Sequence, residues 1–177
     1  MYNDSNIGIR PIEEGDLEVL RHLRNDMSTF LKLGNVGMSD KTDQYEWWKN
    51  TLLNKKEERY TIVDIKLDKI IGIGKILNID SVNSNCEIGV DIIRSERRKG
   101  YGYLSYSIIL DYLFMQKNMH TISLKVIDSN YEAISLYNKL GFEKTGFFKE
   151  YIFRDGKYSD YNIMCLTQKK YFILKNS

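Results

Sequence analysis

Residues 85–126 constrain the fold more than any other part of the chain, because they contain a strand, a helix and a second strand in succession. The strand NCEIGVDII leads into the segment RSERRKGYG, and the apolar spacing from Tyr101 to about Lys117 predicts a helix. The run TISLKVI predicts the second strand. Two strands joined through one helix lie parallel in a sheet, with a right-handed crossover. We therefore expect this unit inside an α/β sheet.

The rest of the chain predicts strands and helices around that unit. In chain order we expect a strand, two helices, three strands, a helix, a strand, a helix and two strands. The turn signals LDK and RDGK predict antiparallel hairpins. The sequence thus predicts a mixed, mostly antiparallel sheet of about seven strands with about four helices. A single proline, Pro11, and no Gly/Ser-rich linker predict one domain over residues 1–177.

Composition and charge exclude several classes of function. The chain has 26 Lys and Arg residues against 24 Asp and Glu, a net charge of +2 that is too small for bulk nucleic-acid binding. Cys86 and Cys165 lie far apart and match no metal-ligand spacing, so we expect free thiols, no bound metal and a reducing compartment. No apolar run approaches the length of a membrane span. We expect a cytoplasmic protein without membrane or nucleic-acid partners.

The segment RSERRKGYG places four cationic side chains and two glycines at the start of a predicted helix. A helix N-terminus presents free N–H groups and a partial positive charge, and a glycine bend before it forms a concave nest of donors. This combination suits a phosphate or pyrophosphate, although a solvated basic loop has the same composition. Tyr103 and Leu104 replace the Lys and Ser/Thr of a P-loop, and Ser105 replaces the third glycine of a dinucleotide fingerprint. Both common nucleotide motifs are therefore excluded.

The same loop resembles the Arg/Gln-x-x-Gly-x-Gly/Ala signature of the GNAT superfamily of N-acetyltransferases, through Arg97, Gly100 and Gly102. A second stretch, DSNYEAISLYNKLGF, is similar to the family pattern Asn-x-x-Ala followed by Leu-Tyr-x-x-Leu-Gly-Phe. The resemblance extends over about residues 9–166 and is closest to the ribosomal-protein alanine and polyamine acetyltransferases. It implies the GNAT fold and an enzyme that transfers an acetyl group from acetyl-coenzyme A (acetyl-CoA) to a primary amine.

The resemblance also implies how acetyl-CoA is bound. In the family, the glycine loop holds the pyrophosphate, the preceding strand pairs with the pantetheine arm through its backbone, and the later helix contacts the same arm. The corresponding cofactor-binding residues in this sequence are Ile92, Ile93, Arg97, Arg98, Lys99, Gly100, Tyr101, Gly102, Asn130 and Tyr137.

Glu87 is the candidate base, because an ammonium group must lose a proton before it can attack a thioester. It lies between Cys86 and Ile88 in the strand that leads into the glycine loop, and strand alternation places it on one face with Gly89 and Asp91. A carboxylate in such an apolar strand is either a solvated edge residue or a functional one. The resemblance favours the functional role, in which Glu87 acts directly or through a water molecule.

Tyr137 is the candidate acid that protonates the leaving thiolate. Tyrosine is protonated at neutral pH, since its ordinary pKa is about 10. The apolar helix face on which Tyr137 lies also suits a core tyrosine, but its place in the LYNKLGF match favours the acid. Asn130, at the start of the same helix, is expected to cap it. For the oxyanion, the resemblance implies backbone N–H groups around residues 90–93, in a strand that splays from its neighbour.

The acceptor is expected to bind to the segments HLRND, TFLKLGNVGMS and QYEWWKN, which precede the cofactor motifs. The candidate substrate-binding residues are Asp26, Phe30, Glu46 and Trp47. Aromatic residues at helical spacing equally suit a core stripe. Acidic residues of this region alternate with Lys32, Lys41 and Lys49, which favours a protein N-terminus or a nucleotide-linked amine over a tri-cationic polyamine.

Three functions remain open from the sequence. The first is acetylation of a protein N-terminus or of a small amine. The second is acetylation of a nucleotide-linked amino sugar for surface-carbohydrate synthesis. The third is an acyl-CoA sensor that transfers nothing. A monomer and a homodimer are both compatible with the sequence.

Overall fold

A single eight-stranded sheet organises the computed structural model, which describes residues 1–4, 6–32 and 37–176. The strands of these ranges are β1 Tyr2–Asn3, β2 Ile7–Pro11, β3 Glu58–Asp64, β4 Lys69–Asp80, β5 Asn85–Ile92, β6 Thr121–Ile127, β7 Glu143–Arg154 and β8 Lys157–Thr167. The helices are α1 Leu17–Asn25, α2 Met27–Phe30, α3 Lys41–Leu53, α4 Tyr101–Asp111, α5 Tyr131–Lys139 and α6 Gln168–Lys175. A π-helical turn, Tyr112–Gln116, extends α4 to nearly the end that its apolar spacing predicts.

The strand order is β1-β2-β3-β4-β5-β6-β8-β7, and β5 and β6 are its parallel pair. The expected mixed, mostly antiparallel sheet is confirmed. The structure contains three short elements, β1, α2 and α6, beyond the predicted seven strands and four helices. β1, with two residues, and α2, with four, are too short to show a periodicity in the sequence. α6 begins directly after β8, and the side chain of Thr167 caps its N-terminus.

The two faces of the sheet have different roles. A Cβ on Gly74 of β4 would come within 2.8 Å of Ile109 on α4, so α4 packs directly on this face, over the main apolar core. Ile73, the preceding residue, belongs instead to a second cluster with the leucines of α1, and Lys75 lines a cleft. Successive residues of a strand point to opposite faces of the sheet, so Gly74 lies on one face and Ile73 and Lys75 on the other. The face that carries Ile73 and Lys75 is the one that the cleft exposes.

The parallel pair separates along its length. β5 pairs with β6 only over Asn85–Glu87 and Thr121–Ser123, although the strands run on to Ile92 and Ile127. On its other side, β5 stays paired with β4 as far as Ile92. The two strands therefore diverge after Glu87, and backbone groups of β5 that point toward β6 face a gap. Within the described ranges, each helix is too short or too polar to cross a membrane.

Candidate active site

The glycine loop begins α4 with a left-handed residue. Gly100 is the N-cap of α4, with φ +85° and ψ −10°, a conformation that costs a residue with a side chain about 1–2 kcal/mol. A Cβ built on Gly100 would meet nothing within 4 Å, so the backbone rather than crowding within the chain requires glycine. A Cβ on Gly102 would stand 3.4 Å from Leu136, which brings α4 close to α5. The open N-terminus of α4, with its free N–H groups, fits the pyrophosphate that the family resemblance implies.

The basic side chains of the loop point in different directions. Arg97 turns away from the mouth of α4: its Nε donates to the Ile92 carbonyl at 2.9 Å, and its Nη atoms donate to the hydroxyls of Ser28 at 2.6 Å and Thr29 at 2.5 Å. Arg98 is exposed and lies 3.3 Å from Glu132 on α5. The guanidinium of Arg97 thus ties α2 to the end of β5.

Lys99 and Tyr101 also contact other parts of the chain. The Lys99 ammonium donates to Glu96 at 2.8 Å, and the Tyr101 hydroxyl donates to the Asp64 carboxylate. Ile93 donates its N–H to the Ile71 carbonyl at 2.9 Å. Lys99, Tyr101 and Ile93 do not line the cleft formed by the described residues, and their cofactor-binding roles remain predictions.

One cleft is lined by most of the predicted site residues. It runs from the glycine loop across the gap between β5 and β6 to α3. The predicted residues that line it are Glu46, Trp47, Glu87, Ile92, Arg97, Arg98, Gly100, Gly102, Asn130 and Tyr137. The predicted base and acid thus share one cavity with the predicted anion site.

Glu87 lies where β5 and β6 separate, with its side chain 17% exposed. It accepts hydrogen bonds from Lys125 at 2.7 Å and from the amide of Asn78 at 3.3 Å. Asp91, four residues further along the same face of β5, pairs with Lys75. Glu87 is therefore a sheltered, oriented carboxylate at the cleft wall and not a solvated edge residue.

Tyr137 is buried at the junction of α5 and β5, with its hydroxyl oxygen 3.0 Å from that of Tyr106. Tyr106, on α4, accepts a hydrogen bond from the Val90 N–H at 3.2 Å, so one of the expected oxyanion donors is already engaged. Burial raises the pKa of Tyr137 to about 12, and the hydrogen bond with Tyr106 opposes that rise. Tyr137 is consequently a protonated phenol at neutral pH. Asn130 caps α5 as expected, accepting from the Ala133 N–H at 3.4 Å.

The predicted acceptor residues divide into two groups. Glu46 and Trp47 of α3 line the cleft, where the Trp47 ring lies 5.8 Å from the Arg59 guanidinium. Asp26 caps α2, accepting from the Thr29 N–H at 3.2 Å. Asp26 and Phe30 do not line this cleft in the part of the chain that the structure describes. Residues 33–36 of the predicted acceptor segment lie outside the described residues.

Three features of the site were missed by the sequence reasoning. Tyr106, the partner of Tyr137, belongs to no motif of the sequence. A tyrosine inside so apolar a helix needs a partner for its hydroxyl, and this signal could have indicated its role. Lys125 stands in an alternating strand like any exposed lysine, and Ser28 carries no motif. Their roles depend on contacts with Glu87 and Arg97, which no local pattern predicts.

Comparison with known proteins agrees with this geometry. The acetyltransferase (GNAT) domain family model matches residues 9–163. The chain is 27% identical to the spermidine N(1)-acetyltransferase of Vibrio cholerae over 168 residues, covering 95% of this chain and 96% of that protein. It is also 27% identical over 100 residues to the ribosomal protein uS5 alanine N-acetyltransferase of Escherichia coli K12, covering 56% of this chain and 52% of that enzyme.

A solved structure extends the agreement to the whole fold. The crystal structure of spermidine N-acetyltransferase from Vibrio cholerae in complex with CoA and spermine superposes with a TM-score of 0.90 at 26% identity, covering 96% of this chain and 99% of that one. The matched region includes the glycine loop, the diverging strands and α5. The chain belongs to the GNAT acetyltransferase family.

Proposed function

We propose that the protein transfers the acetyl group of acetyl-CoA to a primary amine of a small polyamine of the spermidine type. The observation that carries this proposal is the single cleft in which the N-terminus of α4, Glu87 and Tyr137 come together. The spermidine acetyltransferases to which the chain is similar cover more than nine-tenths of it, which supports the polyamine class.

Within this proposal each part of the site has a distinct task. Gly100 and the first N–H groups of α4 hold the pyrophosphate, and the β5 backbone at Ile92 orients the pantetheine arm. Bound acetyl-CoA supplies the acetyl thioester. Glu87 accepts a proton from the acceptor's ammonium group, directly or through water, which frees the neutral amine to attack, and Tyr137 donates its proton to the departing sulfur. Asn130 caps α5 and so fixes the helix that carries Tyr137.

The charges of the cleft favour a second candidate acceptor, an amine that also carries an anionic group. Glu57 pairs with Arg59 at 2.7 Å and Glu87 with Lys125 at 2.7 Å, so a polycation must compete with the chain's own cations. Such pairing suits a nucleotide-linked amino sugar, the acceptor that the local sequence charges also favour. The extent of the similarity to spermidine acetyltransferases weighs more, because it spans nearly the whole chain.

A thiol-release assay with acetyl-CoA tests the acceptor class. The panels are spermidine and spermine, peptides with free N-termini, and nucleotide-linked amino sugars, with Tyr137→Phe as the low-turnover control. We expect turnover with the polyamines. Turnover restricted to the amino-sugar panel would replace the polyamine by the second candidate. Calorimetric binding of acetyl-CoA without transfer to any panel would indicate a sensor, and no binding at all would refute the proposed function.

We further propose that the chain self-associates. A spermidine N-acetyltransferase of Vibrio cholerae has a dodecameric structure, at 28% identity and a TM-score of 0.81 to this chain. β7 is the last strand of the sheet and is largely exposed, with Phe147, Phe148, Tyr151 and Phe153 each more than 40% exposed. Such an apolar edge favours contact with another copy over solvent. Sedimentation velocity at micromolar concentration should give a mass above that of the monomer.

A further inference from the structure

We propose that Tyr106 is a positioning residue for acetyl transfer: its hydroxyl links the Val90 N–H to Tyr137 and directs the proton of Tyr137 into the cleft. The inference rests on the proposed function and concerns the acid step. Tyr106 lies on α4, is 3% exposed, and packs edge-on against the ring of Tyr137 with 5.2 Å between ring centroids. Both rings belong to the main core, which holds the two hydroxyls at fixed positions.

The direction of the hydrogen bonds follows from the number of protons. The Tyr106 oxygen accepts from the Val90 N–H at 3.2 Å, and its own single proton needs an acceptor inside the core. The Tyr137 oxygen, 3.0 Å away, is positioned to accept it. In the opposite arrangement Tyr137 would donate to Tyr106, and Tyr106 would have to send its own proton to another acceptor. Tyr106 is the less suited of the two for this, because it is 3% exposed against 8% for Tyr137, although both line the cleft. Tyr106 therefore donates to Tyr137.

This arrangement leaves the proton of Tyr137 free to point into the cleft that Tyr137 lines. When Tyr137 gives that proton to the departing sulfur, its O–H bond breaks, an S–H bond forms, and the electron pair stays on the phenolate oxygen. Tyr106 then donates to a full negative charge, and a hydrogen bond to an ionised group is stronger than one to a neutral group. The Val90 N–H polarises Tyr106 in the same direction.

Burial makes this support necessary. A phenolate at Tyr137 is disfavoured by desolvation, which raises the pKa of Tyr137 to about 12, and the hydrogen bond from Tyr106 acts against that rise. Tyr106 itself stays protonated, because burial raises its pKa well above the ordinary value. Tyr137 therefore carries the proton that is transferred, and Tyr106 keeps its own proton. The Tyr106 proton stays hydrogen-bonded to the Tyr137 oxygen after the transfer.

The test is Tyr106→Phe, which keeps the ring and removes the hydroxyl. We expect kcat to fall about 10- to 100-fold, part of the 10²–10⁴-fold value of a general acid, while the Kd for acetyl-CoA changes less than about twofold. Tyr171→Phe is the matched control, since it removes the hydroxyl of a half-buried tyrosine that donates to Asp111 and does not line the cleft of the described residues. Assays are run well below the melting temperature of every variant, as measured beforehand.

A double-variant cycle separates positioning from packing. If Tyr106 acts through Tyr137, the double variant Tyr106→Phe/Tyr137→Phe is no slower than Tyr137→Phe alone. Losses that multiply in the double variant would show an independent, structural effect and overturn the inference, as would full kcat in Tyr106→Phe. Absence of acetyl transfer by the unmodified protein would instead refute the proposed function itself, so the two failures are distinguishable.

Discussion

Tyr137 is a buried residue that also lines the cleft. Removing its hydroxyl should therefore affect turnover more than stability. We expect Tyr137→Phe to bind acetyl-CoA normally and to lose turnover by about 10²–10⁴-fold, the usual value of a general acid. Loss of the hydrogen bond with Tyr106 should lower the free energy of unfolding by only about 1 kcal/mol. Steady-state kinetics and thermal unfolding check both effects. A variant that unfolds more easily but keeps full kcat would identify Tyr137 as a core residue.

Glu87 is oriented by Lys125, so its role as a base can be separated from its role in an ion pair. A base acts only when ionised, so the unmodified enzyme should lose rate at acid pH, and Glu87→Gln should lower kcat and flatten that limb of the profile. The matched control is Lys125→Met, which removes the ion pair and retains the carboxylate; it should keep the acid limb. A pH–rate profile of Glu87→Gln identical to that of the unmodified enzyme would assign the base to another group.

At the scale of elements, the N-terminus of α4 depends on the left-handed residue Gly100. We expect Gly100→Ala to cost about 1–2 kcal/mol of stability and to weaken acetyl-CoA binding, because the loop must change its backbone to relieve the strain. Gly156→Ala is the matched control: it has φ +76°, equally open space at its Cβ, and lies in the β7–β8 turn. Equal acetyl-CoA affinity of the two variants by calorimetry would contradict the role of the loop.

Helix α2 is held to the end of β5 by Arg97. We expect Arg97→Ala to speed amide exchange in Met27–Phe30, because losing the hydrogen bonds to Ser28, Thr29 and Ile92 costs about 1–3 kcal/mol of local stability. We also expect weaker acetyl-CoA binding, because the variant removes a cation that lines the cleft. Arg98→Ala, which removes an exposed cation from the same loop, should leave exchange in α2 unchanged. A loss of affinity without faster exchange would mean that Arg97 contacts the ligand directly.

At the scale of the whole molecule, Asp16, just before α1, connects α1 to β2 and β3 of the sheet. It is almost fully buried and accepts hydrogen bonds from Arg10 at 2.6 and 2.8 Å and from the Thr61 hydroxyl at 2.7 Å. Burial acts to raise the pKa of Asp16, but the hydrogen bonds from Arg10, Thr61 and the Glu13 N–H outweigh it, so the pKa is lowered below 3.8.

A lowered pKa in the folded state stabilises the protein above the unfolded value near 3.8 and loses that stability as the pH falls through the folded value. We therefore expect Asp16→Asn to cost about 3 kcal/mol near pH 7, because Arg10 is left half-buried without its carboxylate, and to make stability less dependent on pH below about 4. Urea unfolding at several pH values checks this. Parallel stability curves for the variant and the unmodified protein would contradict it.

Local patterns in the sequence determined the central unit of the fold. The succession of β5, α4 and β6 follows from strand and helix periodicities, and the crossover rule then makes the pair parallel. Gly100 was predictable for the same reason, because a turn into a helix N-terminus requires a backbone that glycine adopts at low cost. Glu87 and Tyr137 are also predicted from local sequence, Glu87 by its place in the strand before the glycine loop and Tyr137 by its place in the LYNKLGF match.

Only the tertiary structure decided which side chains meet across long stretches of chain. Arg97 contacts Ser28, 69 residues earlier, and nothing in its own loop predicts that contact. Asp26, a predicted acceptor residue, caps the single turn of α2, a helix too short to show a periodicity in the sequence. The sequence around Tyr106 predicts only a core residue. Its hydroxyl has a partner because α5 places the Tyr137 hydroxyl oxygen 3.0 Å from that of Tyr106. The periodicity of a helix or strand determines which face a side chain occupies. Which side chain it meets on that face depends on how elements distant in sequence pack together, and a local sequence pattern does not contain that information.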